Sequence, residues 1–237
     1  MPKSGEHVVV IGGTRGLGLS IAEACTELGA AVTVTGRELA TAQSVASTLP
    51  NAIGRSCDLN DSDSIADLFA DIAEIDHLIL VALDRDGNTI ADFRPKDSAR
   101  TALMKNVGYA TAVHHAIPHF SQNASVVLFS GMSMWRPVPG STTISMANAG
   151  VIGLMRSLAV EIAPVRVNAI TPGVVAGTAA VDDVDDDRRK LFEALRQRTP
   201  GKRLPTPADV VAATFALTDN PGINGENLAI DAGMRLV

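Results

Sequence analysis

Apolar and polar positions alternate along this chain at two periods. Short runs of β-branched and aliphatic residues, Val8–Ile11, Ala30–Thr35, Ala52–Cys57, His77–Leu83, Ser125–Phe129, Val165–Ile170 and Gly225–Ile230, have the length of strands. The more apolar of them are nearly continuous, as suits strands covered on both faces of a parallel sheet. Between them lie stretches with helical spacing. Leu17, Ile21, Ala22, Cys25 and Leu28 form one stripe, stopped by Gly29. Further helices are predicted over Glu38–Leu49, Ser62–Ile72, Ser98–Phe120 and Ile144–Ala163. Asp84–Asp97 and Gly131–Gly140 read as loops, and no linker or repeat divides the chain. Strand and helix in alternation imply an α/β fold: a Rossmann-type doubly wound parallel sheet of about seven strands with helices on both faces, in a single domain spanning 1–237.

Composition narrows the class. Apolar residues make up 46% of the 237 positions and aromatics only 3%, so small aliphatic side chains must fill the core. The net charge of −6 argues against nucleic-acid or membrane-surface binding. The continuous apolar runs are too short to span a bilayer, and no signal peptide is visible, so a cytoplasmic location is expected. Cys25 and Cys57 read as reduced, structural thiols, and no metal-ligand pattern is present.

One junction carries chemistry. The first strand breaks into a glycine turn, Gly12, Gly16 and Gly18, which opens the first helix. Backbone without side chains there lets a pyrophosphate approach the helix N-terminus, where free N–H groups and the dipole favour an anion. About twenty residues on, where an acidic side chain would hold the ribose of NAD, stand Gly36 and Arg37, and Arg15 lies inside the turn. Two forked guanidinium groups suit a 2′-phosphate and favour NADP(H), with Glu38 as a mild objection. Asp58 reads either as an acceptor for the adenine amino group or as an N-cap for the next helix.

These elements resemble the short-chain dehydrogenase/reductase family, especially its 3-oxoacyl-carrier-protein-reductase-like members, over nearly the whole length. Gly12–Gly18 resembles the family's glycine loop, Asp58-Leu59 its adenine-contacting pair, Asn106 the asparagine of its long helix, and Asn168–Gly173 its Pro-Gly segment. The resemblance implies a cofactor set of Gly12, Thr14, Arg15, Gly16, Leu17, Gly18, Arg37, Asp58, Leu59, Ala82, Leu83, Pro172, Gly173 and Val174. It also implies a small-molecule substrate, and a homodimer or homotetramer built through helices 98–120 and 144–163. The family's Asn-Asn-Ala-Gly after strand four is altered to Leu80-Val81-Ala82-Leu83. Its catalytic serine, tyrosine and lysine align without a gap to Gly131, Ile144 and Asn148.

Isoleucine transfers no proton and asparagine carries no charge, and general acid–base catalysis is worth about two to four powers of ten in rate. The candidate catalytic residues are Asn106, which matches the family's own asparagine, and the substitutes Ser130 and Asn148, with Ser133 as a second hydroxyl. The sole tyrosine, Tyr109, reads as packing or interface; His114, His115 and His119 read as non-catalytic. Asp182, Asp183, Asp185, Asp186 and Asp187 read as a solvated helix start. The expectation is an NADP(H)-binding oxidoreductase with an atypical site; the alternative is an inactive NADP(H)-binding sensor or supporting subunit of a hetero-oligomer.

Overall fold

The computed structural model describes residues 1–84, 86–178, 181 and 186–237. Seven parallel strands form one sheet in the order β3-β2-β1-β4-β5-β6-β7: β1 (His7–Ile11), β2 (Ala31–Gly36), β3 (Ala52–Ser56), β4 (Ile75–Leu80), β5 (Phe120–Phe129), β6 (Arg166–Pro172) and β7 (Asn227–Ile230). The strand order reverses between β1 and β4. Ligands of open α/β sheets bind at such a reversal, beyond the carboxyl ends of the strands.

Successive side chains of each central strand enter opposite layers. Val9, Ile11, Leu78, Leu80, Val126 and Leu128 face the core under α3 (Ser62–Ala70), α5 (Tyr109–Ala116) and α6 (Thr142–Glu161). Val8, Val10, Val32, Val34, Ile79, Val127 and Phe129 face the core under α1 (Gly16–Glu27) and, at the C-terminal end, a helix at Pro207–Asp219. Both faces are thus dry, which is why the strands read as unbroken apolar runs.

The helices depart from expectation in three places. The stretch expected as one helix over Ser98–Phe120 is α4 (Pro95–Ala102), a π-helical turn (Leu103–Gly108) and then α5, and β5 already begins at Phe120. Pro95 supplies a fixed φ at the first helical position, so α4 starts inside the predicted loop. After α7 (Asp186–Arg198), the helix Pro207–Asp219, here α8, was not predicted from periodicity. Its start is marked by a capping box between Thr206 and Asp209.

α6 has the length and apolarity of a membrane-crossing helix, with a mean hydropathy of 1.3. Its buried stripe of Thr143, Ala147, Asn148, Val151, Met155 and Leu158 belongs to the protein core. The loop between β4 and α4 is tied to the start of α6 by Asn88, which is fully buried. Its side-chain oxygen accepts from the Arg94 N–H at 2.8 Å, and its carbonyl accepts from the Thr142 N–H at 3.2 Å.

Candidate active site

The glycine turn lies at the strand-order reversal. The amides of Val81 and Ala82, just past β4, both donate to the carbonyl of Ile11, at 2.9 and 3.1 Å. A Cβ on Gly12 would lie 2.7 Å from the Ala82 backbone, and one on Gly18 only 2.1 Å from the Gly12 carbonyl oxygen. These two glycines are required by close backbone packing. Gly16 differs: its φ is +55°, and a Cβ there would meet nothing within 4 Å. The turn therefore opens outward at Gly16. Arg15 occupies the N-cap of α1 with no side-chain cap, and the first turn of the helix carries no acidic residue. Helix-terminal amides left without a capping side chain or a nearby carboxylate suit an anion.

Other members of the expected cofactor set have mixed surroundings. Thr14 packs its methyl where a Cβ of Gly36 would stand, 2.7 Å away. Leu17 packs against the core under α1, and Leu59 is buried in the opposite core, with its carbonyl oxygen packed against Gly108. Arg15 and Arg37 are exposed. Arg37 lies 3.9 Å from Asp84, which is also 3.7 Å from Arg100. Glu38 is the N-cap residue of α2 (Leu39–Ala46) without making a side-chain cap. Asp58 accepts the Asn60 N–H at 2.9 Å, while the cap of α3 is Asp61, whose carboxylate accepts from Asp63 and Ser64. Of the two readings of Asp58, the N-cap role thus falls to another residue. Leu83 is exposed and Ala82, Pro172, Gly173 and Val174 are half-buried around the ends of β4 and β6.

The second half of the site is built where the π turn, the end of β5 and α6 meet. Asn106 donates from Nδ2 to the Ala147 carbonyl at 2.8 Å. A Cβ on Gly150 would stand 2.6 Å from that same nitrogen, so glycine at 150 admits the asparagine. Ser130 is buried, and its hydroxyl donates to the Asn148 carbonyl at 2.9 Å. Asn148, also buried, donates from Nδ2 to the Ser133 hydroxyl at 2.9 Å. A Cβ on Gly131 would meet that amide nitrogen at 2.6 Å. Ser130, Gly131, Ser133 and Asn148 thus form one interlocked group, with half-buried Ile144 one helical turn before Asn148.

Two residues were not read as part of this site. Tyr109 is fully buried, and its hydroxyl donates to the Ala82 carbonyl at 2.9 Å, tying α5 to the segment that packs on Gly12. Burial raises its pKa far above the phenol range. Lys105 is 1% exposed, with Nζ 3.4 Å from the Ser130 carbonyl oxygen. Its signal was positional: Thr101, Met104, Lys105, Gly108, Tyr109 and Ala112 form one buried stripe, so the lysine stands where a core residue belongs.

The remaining candidates lie elsewhere. His114, His115 and His119 line a surface groove with Ala66, Phe69 and Pro118. Asp186 is exposed and pairs with Arg189, whereas Asp182, Asp183 and Asp185 fall outside the described residues. Burial pushes the thiols of Cys25 and Cys57 up to about 12, so both are inert.

Comparison with known proteins settles the family. Residues 12–235 match the family model described as enoyl-(acyl carrier protein) reductase. The chain is 30% identical over 256 residues to the short-chain dehydrogenase/reductase malC of Malbranchea aurantiaca, covering 98% of this chain and 95% of the relative. It belongs to the short-chain dehydrogenase/reductase family of oxidoreductases. The solved structure described as MalC reductase/Diels-Alderase superimposes with a TM-score of 0.91 at 25% identity, covering 99% of this chain and 98% of that one. A small-chain dehydrogenase in complex with NADPH superimposes with a TM-score of 0.83 at 25% identity, covering 98% and 99%.

Proposed function

We propose that this chain is an NADP(H)-dependent oxidoreductase whose site works without the tyrosine–lysine proton relay. The observation that carries the cofactor half is the uncapped α1 N-terminus behind the outward-facing Gly16. Arg15 and Arg37 then take the 2′-phosphate. Arg37 must leave Asp84 to do so, and a surface pair of 3.9 Å between exposed groups is worth only about 0–1 kcal/mol. A charged, bidentate phosphate contact outweighs that. The NADPH complex of a similar structure supports the same reading.

When bound, the nicotinamide supplies or accepts hydride; proton handling and orientation fall to this chain. Ile144 has no proton to give. The Tyr109 hydroxyl is buried and bonded to Ala82, and the Ser130 hydroxyl is bonded to Asn148. The substrate must therefore be electron-poor, such as an iminium or an activated carbonyl, or take its proton from water. Positioning then carries the acceleration. The similar MalC structure is described as a reductase/Diels-Alderase, which is compatible with a pocket of this fold serving more than one kind of reaction.

One observation favours the second reading, an inactive NADP(H)-binding sensor or supporting subunit: the polar groups around Gly131 bond to one another. Calorimetry with NADPH and NADH, followed by absorbance assays on a panel of imines and activated carbonyls, separates the readings. NADPH should bind more tightly than NADH, and Arg37→Ala should erase the difference. Absence of dinucleotide binding refutes both readings; tight NADPH binding with no turnover across the panel favours the second.

A further inference from the structure

Lys105 is the deepest cation of the described residues and belongs to no part of the mechanism above. Lysine is almost never fully buried unless it is paired, because removing an ammonium from water costs several kcal/mol. A chain that needed only packing at this point of the stripe would carry an aliphatic residue. The π turn carries both neighbours: Lys105 reaches the Ser130 carbonyl at the end of β5, and Asn106 reaches the Ala147 carbonyl on α6. Single π turns recur at functional sites for this kind of placement.

A second observation points to a ligand. Asn148 is 3% exposed, and its Oδ1 has no hydrogen-bond partner. The Ser133 hydroxyl both donates and accepts, so whichever way the amide is turned, one of its two polar atoms remains unmatched. Buried polar atoms are rarely left so.

We propose that Lys105 is the positioning cation of this site, supplying from the π turn the positive charge that the family pattern would place on α6 at Asn148. Its ammonium holds the Ser130–Gly131 peptide, that peptide fixes Asn148 through the Ser130 hydroxyl and the close approach of Gly131, and the free amide atom of Asn148 takes a hydroxyl of the nicotinamide ribose. This rests on the reading that NADP(H) binds here.

The test is calorimetry with NADPH on the full chain carrying K105M, K105Q, K105R, N148A or K105M/N148A, with melting curves to establish folding. Met and Gln are both used because they differ in shape and polarity and so test the buried position in two ways. A neutral side chain at 105 should weaken NADPH binding up to about tenfold, the worth of the Asn148–ribose hydrogen bond that Lys105 positions. K105R, which keeps the charge, should bind closer to wild type than to K105M. The double variant should bind no more weakly than the weaker single one, because both act on one contact. Folded K105M or K105Q that binds NADPH within about twofold of wild type overturns the inference, as does K105R binding as poorly as the neutral variants. Wild-type protein that binds no NADPH overturns the cofactor reading and this inference with it.

Discussion

Replacing Gly131 by serine, the residue expected there from the family pattern, should damage this protein. A Cβ at 131 would stand 2.6 Å from Nδ2 of Asn148, 3.2 Å from its Cγ and 3.4 Å from its Oδ1. The amide cannot swing aside freely, because it is buried and bonded to Ser133. Overpacking of this kind costs about 1–3 kcal/mol. For a chain of this size each kcal/mol lowers Tm by about 2–4 °C, so Gly131→Ser should melt about 2–12 °C below wild type. Asn148→Ala loses its bond to Ser133, worth about 1 kcal/mol, but removes the obstacle. In the double variant the penalty of the new serine should therefore vanish, giving a coupling of at least about 1 kcal/mol between the sites. Thermal melts of the four proteins measure it. Gly131→Ser melting with wild type, or single effects that add within about 0.5 kcal/mol, would refute the interlock. If it holds, the departures at 131 and 148 are one structural event. Any attempt to rebuild the family's relay must then change Gly131 and Asn148 together, with Ile144→Tyr as the third step.

Two further outcomes are expected. His77, buried on β4 against Ser125 and 3.4 Å from Glu6, has its pKa lowered by desolvation, which outweighs the opposing pull of Glu6 and Asp76; Arg166 adds to the lowering. The unfolded chain then binds a proton below about pH 6.5 that the folded one refuses. Stability should fall as pH drops through that value, by up to about 1.4 kcal/mol per pH unit, and His77→Gln should flatten the dependence of Tm on pH between about 5 and 7.5. A variant with the wild-type slope refutes this. Self-association is the second: the exposed face of α6 carries Ala149, Gly150, Gly153 and Ser157, with Leu103 and Val107 exposed on the π turn. A Cβ on Gly153 meets nothing within 4 Å of its own chain, so Gly153→Glu leaves the protomer intact but puts a charge on that face. Light scattering should show a dimer or tetramer for wild type and a smaller species for the variant; a monomeric wild type refutes the expectation.

How much of this was legible in the chain follows from the range of the interactions. The central strands were readable because both faces of the sheet are buried there; the edge strands β3 and β7 are half-buried and carry a weaker signal. β5 proved five residues longer than its apolar run because four of the five, Phe120–Asn123, are half-buried or exposed and carry no such signal. The helix at Pro207–Asp219 was missed although Thr206, Pro207 and Asp209 spell a capped start; its even mixture of small apolar residues gives little periodic contrast. The π turn left no mark in the pattern, because the buried positions Thr101, Met104, Lys105, Gly108, Tyr109 and Ala112 keep helical spacing straight through it.

The two halves of the site differ in the same way. The glycine turn is encoded locally: positive φ, absent side chains and an uncapped helix start all fall within Gly12–Gly18. The other half is held by contacts across 18 residues from Ser130 to Asn148, 25 from Lys105 to Ser130 and 41 from Asn106 to Ala147. No single stretch announces it. Alignment with the family revealed what was missing at 131, 144 and 148, but not what the surrounding residues had become. Tyr109 shows the consequence. As the sole tyrosine it read as packing, yet its hydroxyl grips Ala82, and Ala82 is the residue against which Gly12 is packed. That bond ties the start of α5, just after the π turn, to the segment against which the glycine turn packs. Lys105 and Tyr109 lie about one turn apart, and each side chain reaches a backbone carbonyl, that of Ser130 and that of Ala82.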